Sequence, residues 1–141
     1  MKLDLTSLRQ ALESLENTLR ICQNRDWMAA QSEAVRNAMI SGAIQNFEFT
    51  YELCWKMLKR QLENEAPTPS EIDHLSFRDL LRFGAEKGLI ADVAKWFEYR
   101  RQRNHTSHTY NAETAREVYL SALDFQRDAR ALLTELEKRN A

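Results

Sequence analysis

Between Arg100 and Asn111 the chain concentrates side chains that bind phosphate and move protons. Arg100, Arg101 and Arg103, His105 and His108, the hydroxyls of Thr106, Ser107 and Thr109, and the amides of Asn104 and Asn111 fall within twelve residues. Arginine offers a rigid, permanently charged fork of donors that fits a phosphate with two parallel bonds. Histidine titrates near neutrality and can take up or release a proton. Arg103 and His108 together meet the minimum requirement for cleaving RNA without a metal. The imidazole would accept the 2′-hydroxyl proton, and the guanidinium would stabilise charge building on the phosphoryl group. The competing explanation is purely structural: a cation at a helix C-terminus is favoured by the helix dipole alone, and histidine is common near caps.

Other chemistries fit less well. His105 and His108 have an HxxH spacing without thiolates nearby, and His74 lies across a loop, so no metal site is expected. Cys22 and Cys54 each fall within an apolar helical pattern and read as small buried hydrophobes, not as nucleophiles or a disulfide.

The elements that would position this stretch are helical. Leu8, Leu12, Leu15, Leu19 and Cys22 form one stripe, with Thr6 or Ser7 as cap and the polar run Gln23–Asp26 as its end. A longer helix is predicted from about Ser32 to about Glu63, with Val35, Met39, Ala43, Phe47, Tyr51, Cys54, Leu58 and Leu62 on one face. Its segment Phe47-Glu48-Phe49-Thr50-Tyr51-Glu52-Leu53-Cys54-Trp55-Lys56 is aromatic on more than one side, which implies a core and a second apolar surface. Residues 65–75, with Pro67 and Pro69, read as a loop. A short helix capped by Ser76 and closed by Gly88 follows. The next helix starts near Ala91 or Asp92, reaches about Asn104, and places Trp96, Arg100 and Arg103 at i, i+4 and i+7. The last is capped by Asn111 and carries Val118, Ala122, Phe125, Ala129, Leu132 and Leu136. A junction between two antiparallel helices would bring Arg103 close to His108.

The expected fold is therefore all-α, an up-and-down four-helix bundle with one additional short helix, about five in all, in one domain over residues 1–141. The breakers are few, three glycines and two prolines in 141 residues, which agrees with a helical chain. Formal net charge is −1, so affinity for a polyanion must come from a local patch. No apolar run resembles a signal peptide or a membrane span, and a cytoplasmic location is expected.

Two segments carry a family resemblance. Arg103-Asn104-His105-Thr106-Ser107-His108 fits the HEPN signature, and its extension to Tyr110 gives Arg-x4-His-x-Tyr, similar to the HepT toxin subgroup. Together with the aromatic segment Phe47–Lys56, it also resembles the proteins called nucleotidyltransferase substrate-binding proteins, which belong to the same group. The resemblance implies a HEPN-like bundle that forms a homodimer, whose two Arg-His motifs meet in a cleft as a metal-independent ribonuclease site requiring no cofactor. On that basis Arg103 would bind the phosphate, His108 would act as general base or acid, and Asn104 would orient the scissile region. A minimal nucleotidyltransferase antitoxin would be the partner, silencing the toxin by adding AMP to Tyr110. Arg100, Arg101, His105 and Ser107 would at most enlarge the RNA- or nucleotide-binding surface. The older family name implies an alternative: a non-catalytic subunit that presents substrate to the nucleotidyltransferase.

Overall fold

The computed structural model describes residues 1–141, all helix, turn and loop. In order the helices are α1 (Thr6–Gln23), α2 (Arg25–Ala30), α3 (Glu33–Glu65), α4 (Ser70–Asp73), α5 (Phe77–Glu86), α6 (Val93–Asn104) and α7 (Ala112–Arg139), with a 3-10 turn over Thr106–His108. The bundle is built by α1, α3, α6 and α7. Ion pairs Arg9–Glu137 and Arg130–Glu16 set α1 antiparallel to α7. Phe47 against Phe125 and Glu65 against Arg139 set α3 parallel to α7. Four antiparallel or parallel helices, each burying one stripe, give a closed core without strands.

The stripes on α1 and α7 hold as expected. Leu8, Leu12, Leu15 and Leu19 are buried, as are Val118, Ala122, Phe125, Ala129, Leu132 and Leu136. Phe125 is the hub: its ring lies 5.1 Å from Phe47, 5.2 Å from Tyr99, 5.8 Å from Trp96 and 6.0 Å from Tyr51. Edge-to-face and tilted geometries of this kind add to the hydrophobic gain. The aromatic segment of α3 does face two ways, since Phe47 and Tyr51 are buried while Phe49 stays exposed.

Several local expectations need correction. There are seven α-helices, not five. The polar run after α1 contains a turn and a new helix, α2, whose N-cap Asn24 accepts from the Trp27 amide at 3.1 Å. The proline loop contains α4. Helices of four to six residues are too short to display a period, so spacing alone cannot reveal them. The cap of α1 is neither Thr6 nor Ser7; Asp4 accepts from the Thr6 amide at 3.0 Å instead. Val35 and Met39 lie outside the core because burial on α3 begins at Ala43. Cys22 is only half-buried, whereas Cys54 is fully buried and its thiol is pushed up by desolvation.

The end of α5 shows why Gly88 is required. Its amide donates to the Ala85 carbonyl at 3.0 Å, and the Leu89 amide donates to the Gly84 carbonyl at 2.9 Å. This is a Schellman closure, and Gly88 takes φ +77°, where a side chain would be strained. The turn puts Leu89 and Ile90 into the core and starts α6 at the right place.

Burial of the aromatic hub has a pH signature. Desolvation raises the Tyr51 phenol above its ordinary value; for Tyr99, desolvation and then donation to Asp128 do the same. The folded state thus holds these protons more tightly than the unfolded chain. Their contribution to stability is complete below the unfolded value of about 10 and is lost as pH climbs from there toward the higher folded values. An alkaline titration should show cooperative loss of helical circular dichroism starting at about pH 10, with tyrosinate absorbance rising in the same transition.

Candidate functional site

The Arg-His stretch is framed by two capped helices. Asp92 starts α6 by accepting from the Ala94 and Lys95 amides at 3.1 and 3.4 Å. Trp96, Tyr99 and Gln102 then anchor one face of α6 in the core. Asn111 starts α7 by accepting from the Glu113 and Thr114 amides at 2.9 and 3.2 Å. Between them the hydroxyls serve the backbone. Thr106 Oγ1 donates to the Arg103 carbonyl at 2.9 Å, and Thr109 Oγ1 to the Thr106 carbonyl at 3.1 Å. They bond one carbonyl at the end of α6 and one in the 3-10 turn that follows it.

The three arginines take different positions. Arg103 turns to α3, where its Nε donates to Glu52 Oε1 at 2.8 Å and an Nη lies 3.5 Å from Glu48 Oε1. Two carboxylates hold the guanidinium in place and leave its other N–H donors without partners. Arg101 forms a two-point pair with Glu98 on its own helix, at 3.0 and 2.8 Å. That bond, then donation from Gln102, holds the Glu98 carboxyl below its usual range, with a smaller contribution from the charge of His105. Arg100 lies over the Phe77 ring at 4.0 Å, and Phe77 meets Trp55 edge-on at 5.4 Å. Arg100, Arg103 and Asn104 border a cleft of about 230 Å³ with Tyr51, Trp55 and Phe77.

His108 and Tyr110 sit on the other side of the junction. His108 ends the 3-10 turn with its side chain exposed, and its ring lies 6.2 Å from that of Tyr110 at 72°. Tyr110 is 87% exposed. No hydrogen bond joins Arg103 to His108; the junction brings them to the same end of α6 and points them at different neighbours. Ser107 is exposed and His105 is half-buried. A second groove of about 710 Å³ runs between α1 and α3 and ends on Arg103, bordered by Ala11, Ser14, Phe49, Leu53 and Lys56. No group of three His, Cys, Asp or Glu side chains converges as metal ligands would.

Sequence reasoning missed Glu48 and Glu52 as members of this site. The signal was present: two acids four apart on a helix share a face and can hold one cation between them. Tyr51, Trp55 and Phe77 were also overlooked, since aromatics at helical spacing look like core.

One family matches the chain over almost its whole length. The model of the family described as nucleotidyltransferase substrate binding protein like matches residues 3–138. The chain belongs to that family, in its HepT-like HEPN group. It is 45% identical over 139 residues to a Haemophilus influenzae protein named probable ribonuclease HepT, across 99% of this chain and 95% of the relative. A solved Haemophilus influenzae structure, described as the fold of a substrate binding domain of a nucleotidyltransferase, superposes with a TM-score of 0.92 at 43% identity. The match covers 95% of this chain and 99% of that one. A crystal structure from Thermus thermophilus gives a TM-score of 0.71 at 25% identity, covering 92% and 98%. No helix here is long and apolar enough to cross a membrane.

Proposed function

We propose that the chain is a HEPN-type toxin: one cytoplasmic domain acting as a metal-independent endoribonuclease, active as a homodimer and neutralised by a minimal nucleotidyltransferase. The observation that carries the reading is the division of the motif. Arg103 is fixed by Glu48 and Glu52, while His108 and Tyr110 stand in solvent, ready to meet an RNA strand or a second protomer. In the reaction, His108 takes the proton of the 2′-hydroxyl, whose oxygen attacks phosphorus. The P–O5′ bond breaks, the histidine of the second protomer returns a proton to the leaving 5′-oxygen, and a 2′,3′-cyclic phosphate remains. Arg103 stabilises the charge on the phosphoryl oxygens, and Asn104 orients the strand. The name of the 45% identical relative supports the same chemistry.

The second copy would seat on the groove between α1 and α3, where Phe49 is 55% exposed beside Arg103. Exposed Phe49 adjoins half-buried Leu53 and Ala11 along this groove, and a contiguous apolar patch of this kind marks an interaction surface where a lone exposed side chain would not. Sedimentation should give twice the chain mass. Transfer of AMP to Tyr110 by the nucleotidyltransferase would put a bulky anion beside His108 and block the strand. Co-expression should add one or more AMP masses to the chain, and an unchanged mass rejects that step.

The decisive experiment incubates purified protein with RNA in excess chelator and identifies the new 3′ ends. Cyclic phosphate ends support the proposal; intact RNA rejects it. Intact RNA with a stable nucleotidyltransferase complex would favour the second reading, a non-catalytic interaction subunit. The pairing of Arg103 with two carboxylates, which lowers its net attraction for phosphate, is the observation on that side.

A further inference from the structure

Tyr51 poses a problem that packing does not answer. Its side chain is 1% exposed and its hydroxyl has no hydrogen-bond partner. A buried donor left unsatisfied loses its bonds to water and gains none in return, so a phenyl ring would serve the core better. The residue borders the 230 Å³ cleft shared by Arg100, Arg103 and Asn104. Arg100 and Arg103 are also the two cations whose charge acts on the phenol.

The cleft is rich in free donors. Arg100 makes no ion pair; its guanidinium carbon lies 4.0 Å from the centre of the Phe77 ring. Asn104 is exposed at the rim with its amide unengaged. The one acid present, Glu52, has both oxygens occupied, by Arg103 Nε and by Trp55 Nε1 at 3.0 Å. A phenol O–H, the Arg100 guanidinium and the Asn104 amide call for a partner with several acceptor oxygens and negative charge, which describes a phosphate group. Trp55 and Phe77 form the remaining walls, and aromatic walls beside a phosphate site suit a flanking nucleobase.

We propose that this cleft is a phosphate subsite, in which Tyr51, Arg100 and Asn104 hold the RNA phosphate next to the one that is cleaved. The inference rests on the ribonuclease reading for its ligand, and on the unpartnered phenol and Arg100 for its location. Tyr51 donates to a non-bridging oxygen and Arg100 supplies charge. Both are positioning residues that set the strand so that the next phosphate reaches Arg103.

The test uses His108→Ala protein, so that RNA binds without turnover, and calorimetric titration with a short single-stranded RNA, with inorganic phosphate and with AMP. Tyr51→Phe and Arg100→Gln are then introduced separately into that background. Each should weaken RNA and phosphate binding about tenfold, the scale of one hydrogen bond to a charged group. Tyr51→Phe should leave the melting temperature equal or higher, because it removes an unsatisfied donor. RNA and phosphate affinities unchanged in both variants overturn the proposal. AMP binding as tightly as the RNA overturns the assignment to a strand. In the His108-intact protein, cleavage with an unchanged KM in Tyr51→Phe removes the subsite and leaves the ribonuclease reading standing. Tyr51-dependent phosphate binding by a protein that cuts no RNA does the reverse.

Discussion

Alanine at His108 should lower the rate of RNA cleavage by about 10²–10⁴-fold, the usual loss when a general acid or base is removed. The imidazole makes no hydrogen bond within the fold and its side chain is exposed. Stability should therefore stay within about 0.5 kcal/mol of the parent. That separation makes the experiment informative, because a purely structural junction predicts the opposite balance. Single-turnover cleavage of a labelled RNA, paired with a denaturant melt, measures both quantities. Equal cleavage by parent and variant would remove His108 from the mechanism.

The second large effect lies in the core. Phe125→Ala should destabilise the protein by about 3–5 kcal/mol, as large aromatic truncations in tight cores do. The ring touches aromatics from α3 and α6, so its loss opens a void where three helices meet. For a chain of this size the melting temperature should fall by on the order of 10 °C. Urea unfolding followed by circular dichroism gives the value, and a change below about 1 kcal/mol would mean that the neighbours collapse into the gap. Trp96 and Tyr99 anchor the helix that carries Arg103, so the variant should also bind RNA less well than His108→Ala does.

Both predictions depend on features of differing visibility in the sequence. The stripes of α1 and α7 were legible because long helices repeat their apolar residues, and the caps Ser76 and Asn111 because their chemistry is local. The α2 and α4 helices were not, since one turn carries no period. The cap of α1 was misassigned because Asp4, Thr6 and Ser7 all offer an oxygen within a few residues. The site divided in the same way. Arg103, His108 and Tyr110 stood out as a motif within one segment. Glu48 and Glu52, which fix Arg103, lie about fifty residues upstream, and only the packing of α3 on α6 joins them. Long-range electrostatic partners leave no mark in local spacing.

The capped ends of the bundle carry a practical consequence. Leu3 donates its amide to Asn140 Oδ1 at 2.9 Å, Asn140 donates to Gln61 Oε1 at 2.8 Å, and Asn64 donates to the Met1 carbonyl at 2.7 Å. The two ends of the described chain are thus laced together at one pole. Tyr110 and Asn111 precede the other end of α7, about 42 Å away along its 28 residues, while Arg103 packs against the middle of α3. A short peptide bridging the ends, with new ends opened at the exposed Pro67–Pro69 turn, would give a circular permutant with every bundle helix intact. Such a rewired molecule could carry a fluorophore or a fused protein at its new ends without crowding Tyr110.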